Sequence, residues 1–277
     1  MGNMKKMLAS DLDGTLLFKG RVSEENKKAL KKFKTNGGIF SLSTGRAYNE
    51  IESVIKDMDV RPDYFILNNG ALILDDKAEI IHKSNLNYKA TKEILAYIKK
   101  YTDMVSIQTG FKSYAVVSKL TKLKIKIRMI IKNLVYGLNN KDERVYVKNL
   151  DDIEDVKNET FTLMAANFKG YSVGEIQKVA NYINNNYGDY VECYRNTIFL
   201  DIVPKGCSKG HGVEYVSKIE DLHMDNVYTI GDSWNDDSMF QVTKNSFTFT
   251  YAEEGLQKKT THVVETVAQC IDKYILE

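Results

Sequence analysis

The stretch SDLDGTLL, residues 10–17, follows the short apolar run MLA and carries two carboxylates, Asp11 and Asp13, into a turn. The apolar run predicts a buried strand that ends at Asp11, and Gly14 permits a tight bend. Ligands bind beyond the carboxyl ends of parallel strands, so both carboxylates can face one site. They repel each other unless a cation joins them or one is protonated. Mg²⁺ fits because it is a hard ion that binds oxygen ligands, whereas a capped turn without metal is the competing interpretation.

The first 80 residues alternate short apolar strands with amphipathic helices. Strands are predicted at KMLAS (6–10), IFSLST (39–44) and YFILNN (64–69). Helices are predicted at 22–38, where Ser23 can cap the start and Gly37 can end the helix, and at 47–58. This alternation indicates a parallel sheet that is covered by helices on both faces.

The middle of the chain has a different pattern. ALILDD (71–76) and EIIHKS (79–84) predict a hairpin, and the following strands and helices up to Pro204 are typical of an α+β domain with a largely antiparallel sheet. After Pro204 the parallel pattern returns. We therefore predict an α/β core formed by residues 1–83 and 205–277, with a second domain at 84–204 inserted in it.

A second acidic cluster lies at GDSWNDD, residues 231–237, directly after the apolar run VYTI. This position predicts that Asp232, Asn235 and Asp236 lie at the same sheet edge as Asp11. A solvated acidic loop is the competing interpretation, and it loses weight once the first cluster is admitted.

Two further segments carry groups that suit a phosphate. Ser43, Thr44, Gly45 and Arg46 follow a predicted strand and precede a helix, where a hydroxyl and backbone N–H groups form an anion site. PKGCSKG (204–210) offers Lys205 and Lys209, and a lysine there can neutralise a phosphoryl oxygen. Each segment alone is more simply an N-cap or a surface lysine.

Taken in order, DLDGTLL, LSTGR, NNGA (68–71), PKGCSKG and GDSWND resemble the signature segments of the haloacid dehalogenase (HAD) superfamily of phosphotransferases. More narrowly, they resemble the Cof-type sugar-phosphatase family. The resemblance covers the α/β part from end to end. It implies a Rossmann-like parallel-sheet HAD core with an inserted α+β cap domain, which closes over the site and selects the leaving group.

The resemblance also implies roles for individual residues. Asp11 would be the nucleophile that forms an aspartyl-phosphate, and Asp13 would be the general acid and base. Mg²⁺ would be held by Asp11, Asp232 and the backbone carbonyl of Asp13, with Ser233 or Asp236 nearby. The groups expected to bind the phosphoryl oxygens are the Leu12 backbone, Thr44, Gly45, Arg46, Lys209 and Asn235.

The resulting functional hypothesis is a Mg²⁺-dependent phosphatase of small phosphorylated metabolites. Sugar phosphates come first, with flavin mononucleotide or pyridoxal phosphate as further substrates. One alternative is a sugar phosphomutase of similar architecture, which would return the phosphoryl group to a sugar. Another is a signalling domain that stores phosphate on an aspartate, but Asp13 and the large insert argue against it.

Composition restricts the remaining partners. The net charge of +2 argues against a dedicated nucleic-acid binder. No apolar run approaches ~20 residues, so no membrane partner is expected. Three widely spaced cysteines and the lack of a signal-peptide pattern favour reduced thiols in the cytoplasm. A monomer or a homodimer is expected.

Residues 119–132, KLTKLKIKIRMIIK, are strongly basic. Charge and apolarity alternate from Lys122 to Met129, as on a strand, yet the apolar residues also fit a helical stripe. Local propensity does not decide between them. A solvated face is the simpler interpretation, and a positive rim that attracts an anionic substrate is the functional one.

Overall fold

The computed structural model describes residues 5–18, 20–136, 144–153 and 160–276. Two compact units are formed, one by the chain up to Ser84 and from Gly206 onward, the other by Asn85–Lys205. The boundaries predicted from the sequence fall after residues 83 and 204. The predicted fold class, an α/β core with a parallel sheet and an inserted α+β unit, is confirmed.

The first unit is built on an eight-stranded sheet with the order β16-β15-β14-β1-β4-β5-β6-β7. The strands from β16 to β5 are parallel, and the predicted hairpin β6–β7 continues the sheet in antiparallel fashion. The strands are β1 Met7–Ser10, β4 Ile39–Ser43, β5 Tyr64–Leu67, β6 Leu72–Asp75, β7 Ile80–Lys83, β14 Val227–Ile230, β15 Asn245–Phe249 and β16 His262–Val264; a separate two-stranded ribbon comprises β2 Leu17–Phe18 and β3 Arg21–Val22.

Both faces of this sheet are buried. Successive side chains of a strand point to opposite sides, so one strand contributes to two apolar clusters. Leu8 joins one apolar cluster, whereas Met7 and Ala9 join the other. The helices of this unit are α1 Glu24–Thr35, α2 Glu52–Met58, α6 Lys209–Ile219, α7 Asp237–Val242, α8 Glu254–Gln257 and α9 Val267–Cys270, followed by a π-helical turn at Ile271–Ile275. Ser23 caps α1 as predicted, since its side chain accepts from the Asn26 N–H at 3.2 Å.

The second unit contains a six-stranded, mostly antiparallel sheet with the order β10-β9-β8-β11-β13-β12. Its core is formed by buried residues of the sheet and of α3 and α5, among them Ile94, Ile107 and Ile183. The elements are α3 Tyr88–Ile98, β8 Val105–Gln108, β9 Ser113–Val116, α4 Lys119–Tyr136, β10 Val145–Val147, β11 Leu163–Asn167, α5 Val173–Tyr187, β12 Val191–Asn196 and β13 Phe199–Pro204.

The basic stretch is helical and lies in α4. Strands β8 and β10 were not predicted, because each is short and carries no sustained alternation. Among the described residues, no helix has both the length and the hydropathy that crossing a membrane requires.

A tight turn at Asn68–Gly70 lies against the start of α6. Gly70 has a φ of +88°, and a Cβ there would lie 2.1 Å from the Ser208 carbonyl oxygen. Ser208 caps α6, which begins at Lys209. Only glycine therefore allows this turn to approach the segment that positions Lys209.

We predict that Gly70→Ala lowers the free energy of unfolding by roughly 2–4 kcal/mol, because it combines a left-handed φ with an overpacked contact. Gly37→Ala is the matched control, since Gly37 has a φ of +81° but open space around it. It should cost only about 1–2 kcal/mol. Urea unfolding of both variants measures the difference, and equal losses would contradict the proposed contact.

Candidate active site

The site lies where three neighbouring parallel strands end. β1 lies between β14 and β4, so the residues after these strands meet at one sheet edge. The Asp11 N–H donates to the Ile230 carbonyl at 2.9 Å, and the Thr44 N–H donates to the Ile66 carbonyl at 2.8 Å. These bonds continue the sheet one residue past β1 and β4. The first of them fixes the backbone of Asp11, the predicted nucleophile.

Three carboxylates and one ammonium group form a cluster in which Asp232 is half-buried and Asp11, Asp236 and Lys209 are buried. Asp11, Asp232 and Asp236 each place a carboxylate oxygen within 4.8 Å of the others. Lys209 donates from Nζ to Oδ1 of Asp11 and to Oδ1 of Asp236, both at 2.6 Å. The Lys209 side chain is 1% exposed and that of Asp11 is 6% exposed. When all four groups are ionised, three negative charges and one positive charge leave two negative charges unbalanced.

Burial and neighbouring charges shift the pKa values of three groups in the cluster. Burial raises the pKa of Asp11 well above its usual range, although Lys209 opposes the shift. Burial and then the charge of Asp236 raise the pKa of Asp232 to about 6. Burial disfavours the ammonium form of Lys209, but Asp11 and Asp236 outweigh it and raise its pKa above the usual range. The lysine therefore stays charged, whereas the ionised forms of Asp11 and Asp232 are disfavoured.

The three carboxylates fit a hard divalent cation, which prefers oxygen ligands. Its two positive charges would balance the two excess negative charges of the cluster. Among the described residues, Asp11, Asp232 and Asp236 form the group that could hold such an ion, and metal binding by them stays a prediction. Asp236 has a bracing role, since its Oδ2 accepts the N–H groups of Asp232 and Ser233, both at 3.0 Å. The Ser233 backbone therefore contacts the cluster, and whether its side chain binds metal stays a prediction.

Three residues that the sequence analysis assigned no role brace the acidic loops. Thr15 donates from Oγ1 to Oδ1 of Asp232 at 2.9 Å. Tyr251 donates to the Gly14 carbonyl at 2.5 Å, and Thr248 donates to the Gly231 carbonyl at 2.8 Å. Thr15 lies inside the SDLDGTLL segment, so its position in the sequence could have indicated a role at the site. The other two lie at and after β15, where no sequence signal marks them.

Gly14 lets the two acidic loops approach closely. Its φ is +86°, and a Cβ there would lie 2.3 Å from Oδ2 of Asp232. Any other residue would displace the Asp232 carboxylate or the loop after β1. The tight bend predicted at Gly14 therefore also has a packing reason.

Asp13 does not join the buried cluster. Arg46 donates from Nε to Oδ2 of Asp13 at 2.7 Å and from a terminal nitrogen to Oδ1. Its other terminal nitrogen donates to the Glu50 carbonyl at 3.2 Å. The side chains of Asp13 and Arg46 are 52% and 31% exposed. Arg46, the predicted phosphate ligand, is thus paired with Asp13, the predicted general acid and base. Metal binding by the Asp13 carbonyl stays a prediction.

The remaining predicted phosphate-binding groups lie around the same edge. The Thr44 side chain is buried, and its Oγ1 accepts the Arg46 N–H at 3.2 Å, which leaves the hydroxyl proton for another acceptor. Asn235 donates to Oδ1 of Asn69 at 3.3 Å, so the NNGA segment contacts the GDSWND segment. Leu12 and Gly45 lie in the loops after β1 and β4. Phosphate binding by all these groups stays a prediction.

The model of the haloacid dehalogenase-like hydrolase family matches residues 8–271, and the chain belongs to this family. This confirms the resemblance found in the sequence. Similar proteins include the Bacillus subtilis 5-amino-6-(5-phospho-D-ribitylamino)uracil phosphatase YwtE, 24% identical, with 98% of each chain covered. A putative phosphatase of Buchnera aphidicola subsp. Baizongia pistaciae is 26% identical over 87% of this chain and 84% of its own.

Solved structures show the same fold. A haloacid dehalogenase-like hydrolase from B. subtilis has a TM-score of 0.83 at 20% identity, covering 97% of this chain and 99% of its own. The HAD subclass IIB sugar phosphatase BT4131 has a TM-score of 0.75 at 18% identity, covering 97% and 98%. The predicted enzyme class, a HAD-type phosphoric monoester hydrolase, is confirmed.

We predict that the metal-free protein loses stability as the pH rises from about 4 to about 6. In this window the folded Asp232, whose pKa is about 6, keeps a proton that the unfolded chain, with a pKa of 3.8, has already lost. The native state binds more protons there, so the free energy of unfolding falls with rising pH. Relative to Asp232→Asn, the wild-type protein should lose roughly 2 kcal/mol across the window, measured by urea unfolding with a chelator present.

The Asp232→Asn variant also serves as the control for the metal. Added Mg²⁺ should restore the stability of the wild-type protein near pH 7 and have little effect on the variant, because a bound cation takes the place of the proton. Two results together would contradict the assignment. The stability of the wild-type protein would not respond to Mg²⁺, and it would change with pH across the window in the same way as that of the variant.

Proposed function

We propose that the protein is a Mg²⁺-dependent phosphatase of small phosphorylated metabolites that works through a phosphoryl group on Asp11. The observation that carries the proposal is the largely buried cluster of Asp11, Asp232, Asp236 and Lys209, with two unbalanced negative charges. Membership of the HAD-like hydrolases supports it. Mg²⁺ bound by Asp11, Asp232 and the Asp13 carbonyl would supply positive charge that draws the phosphoryl oxygens into the site and keeps the carboxylates ionised.

In the first step, a carboxylate oxygen of Asp11 attacks phosphorus while the bond from phosphorus to the leaving oxygen breaks. Asp13 gives its proton to that oxygen, so the alcohol departs neutral. Lys209 fixes the rotation of the Asp11 carboxylate by holding Oδ1. An ammonium group has three N–H donors, so after bonding Asp11 and Asp236, Lys209 retains one for a phosphoryl oxygen.

In the second step, Asp13 takes a proton from a water molecule, whose oxygen attacks phosphorus. The bond from phosphorus to Asp11 breaks, inorganic phosphate forms, and the Asp11 carboxylate is regenerated. The hydroxyl of Thr44, the amide of Asn235 and the backbone N–H groups near Leu12 and Gly45 would donate to the phosphoryl oxygens. Such preorganised donors act where charge develops in the transition state.

Sugar phosphates are the first substrate class to test. One structural neighbour is a sugar phosphatase, and a similar protein is named for a phosphorylated ribityl compound. Flavin mononucleotide and pyridoxal phosphate form the second class. The three buried cysteines support a reducing compartment such as the cytoplasm. The role of Asn85–Lys205 as a cap that selects the leaving group stays a prediction.

We predict that a Mg²⁺-dependent screen of phosphorylated metabolites detects phosphate release, and that Asp11→Asn abolishes it. The substitution removes the nucleophile at nearly constant shape, so folding should persist, as thermal unfolding would verify. When the wild-type protein reacts with a radiolabelled substrate, acid quenching should trap the label on the peptide that contains Asp11. Hydroxylamine should then release the label from that peptide. Full activity in Asp11→Asn would contradict the mechanism.

The same experiment separates the alternatives. Transfer of the label to a second sugar hydroxyl without phosphate release would indicate a phosphomutase. A long-lived labelled protein without turnover would indicate a signalling domain. Rapid label turnover with stoichiometric phosphate release supports the phosphatase.

We predict that Arg46→Gln lowers kcat by about tenfold and leaves KM nearly unchanged, because the guanidinium bonds both oxygens of Asp13 and so positions the acid/base. The sequence-based hypothesis, in which Arg46 binds the phosphoryl group directly, predicts instead a raised KM. Steady-state kinetics with the best substrate of the screen distinguishes the two roles. A variant with a raised KM and an unchanged kcat would show that Arg46 does not act through Asp13.

A further inference from the structure

Helix α4 presents an apolar stripe to solvent. The helix comprises Lys119–Tyr136, and its apolar residues recur at spacings of three and four, which places them along one side. Their exposed fractions run from 47% to 78%, values that belong to surface positions. The residues of this stripe are Leu120, Leu123, Ile127, Ile130, Ile131, Leu134 and Val135.

The stripe is not the side by which α4 contacts its own unit. Thr121, Ile125 and Met129 are half-buried and follow one another at intervals of four, on the opposite side of the helix. Next to them, the Lys122 ammonium lies 5.2 Å from the centre of the Tyr146 ring in β10. The helix is thus attached along one side and exposes its apolar residues on the other.

Basic side chains flank the stripe on both sides. Lys119 and Lys126, seven residues apart, lie along one flank, and Lys124 and Arg128, four residues apart, lie along the other. All four are exposed. The sequence of residues 119–136 contains no aspartate or glutamate. Any partner of this face must therefore offer both an apolar interior and negative charge.

We propose that α4 binds the surface of an anionic lipid bilayer, with the apolar stripe in the acyl boundary and the flanking cations at the headgroups. An apolar stripe bordered by Lys and Arg is the pattern of helices that lie in the plane of a membrane interface. The long Lys and Arg side chains reach the headgroups while their stems stay in apolar surroundings. The 18-residue helix is about 27 Å long, enough for a flat contact.

Three other occupants fit the observations less well. A second copy of this chain would bring like charges together on both flanks, which is unfavourable. Nucleic acid would match the charge but leave the apolar stripe without a partner. A protein groove that surrounds a helix is disfavoured because one side of α4 already contacts its own unit. A flat surface suits a helix with one free side.

The proposal is independent of the phosphatase function and compatible with the absence of a spanning helix among the described residues. The sequence-based expectation of no membrane partner rested on the search for a spanning segment. That search does not detect a helix that lies on the surface.

Vesicle co-sedimentation of the full chain tests the proposal. Vesicles of phosphatidylcholine alone are compared with vesicles of equal parts phosphatidylcholine and phosphatidylglycerol, at low and at raised salt. We expect binding to the anionic vesicles and weaker binding at raised salt. The double variant Leu123→Gln/Ile127→Gln should weaken binding by at least about a hundredfold, because both side chains lose their apolar burial.

The triple variant Lys119→Gln/Lys124→Gln/Lys126→Gln tests the contribution of charge. We expect it to weaken binding to the anionic vesicles by about a hundredfold. Its matched control is Lys89→Gln/Lys169→Gln/Lys178→Gln, which removes the same charge from exposed positions of the same unit outside α4. Val173→Gln/Ile198→Gln is the control for the apolar arm, since both residues are exposed elsewhere in that unit. Neither control should change binding, and Leu123→Gln/Ile127→Gln should not change phosphate release from a small substrate.

Three results would overturn the proposal. The first is no binding to anionic vesicles by the wild-type protein. The second is binding that the α4 variants and their controls weaken equally, which would indicate net charge alone. The third is a dimer in sedimentation equilibrium that Leu123→Gln/Ile127→Gln dissociates, which would assign the stripe to a second copy.

Discussion

The structure of the candidate active site depends on the buried ammonium of Lys209 between Asp11 and Asp236. A buried lysine stays charged where carboxylates pair with it, and here two of them accept at 2.6 Å. The pairing requires the start of α6, the end of β1 and the loop after β14 to meet. Because the carboxylates still outnumber the cation, the pairing holds the segments together and leaves the negative charge that a divalent metal would balance.

The surrounding contacts serve this arrangement. Gly14 and Gly70 allow close approach where any side chain would displace a neighbour. Thr15 and Tyr251 then tie the loop after β1 to the opposite side of the site. Each contact is modest alone, but together they restrict the position of the Asp11 carboxylate. A nucleophile held in this way loses little orientational freedom when it reacts.

The site combines a fixed part with an exposed one. Asp11, Asp236 and Lys209 are almost completely buried, whereas Asp13 and Arg46 form a half-exposed ion pair. Exposed ion pairs contribute little to stability, so the Asp13–Arg46 contact can open at small cost. This difference suits the proposed chemistry, in which the nucleophile attacks from one position. One oxygen of Asp13 must exchange its bond to Arg46 for the transferred proton, while the guanidinium still orients the other oxygen.

The sequence by itself determined the core strands and the acidic, threonine and lysine segments, because apolar periodicity and strand-end chemistry are local properties. It did not determine that Arg46 pairs with Asp13, that Tyr251 braces Gly14, or that residues 119–132 form a helix rather than a strand. Those outcomes depend on which distant segments meet. A side chain's partner is set by three-dimensional packing, and a stretch whose pattern fits two periodicities takes its form from the surface it contacts.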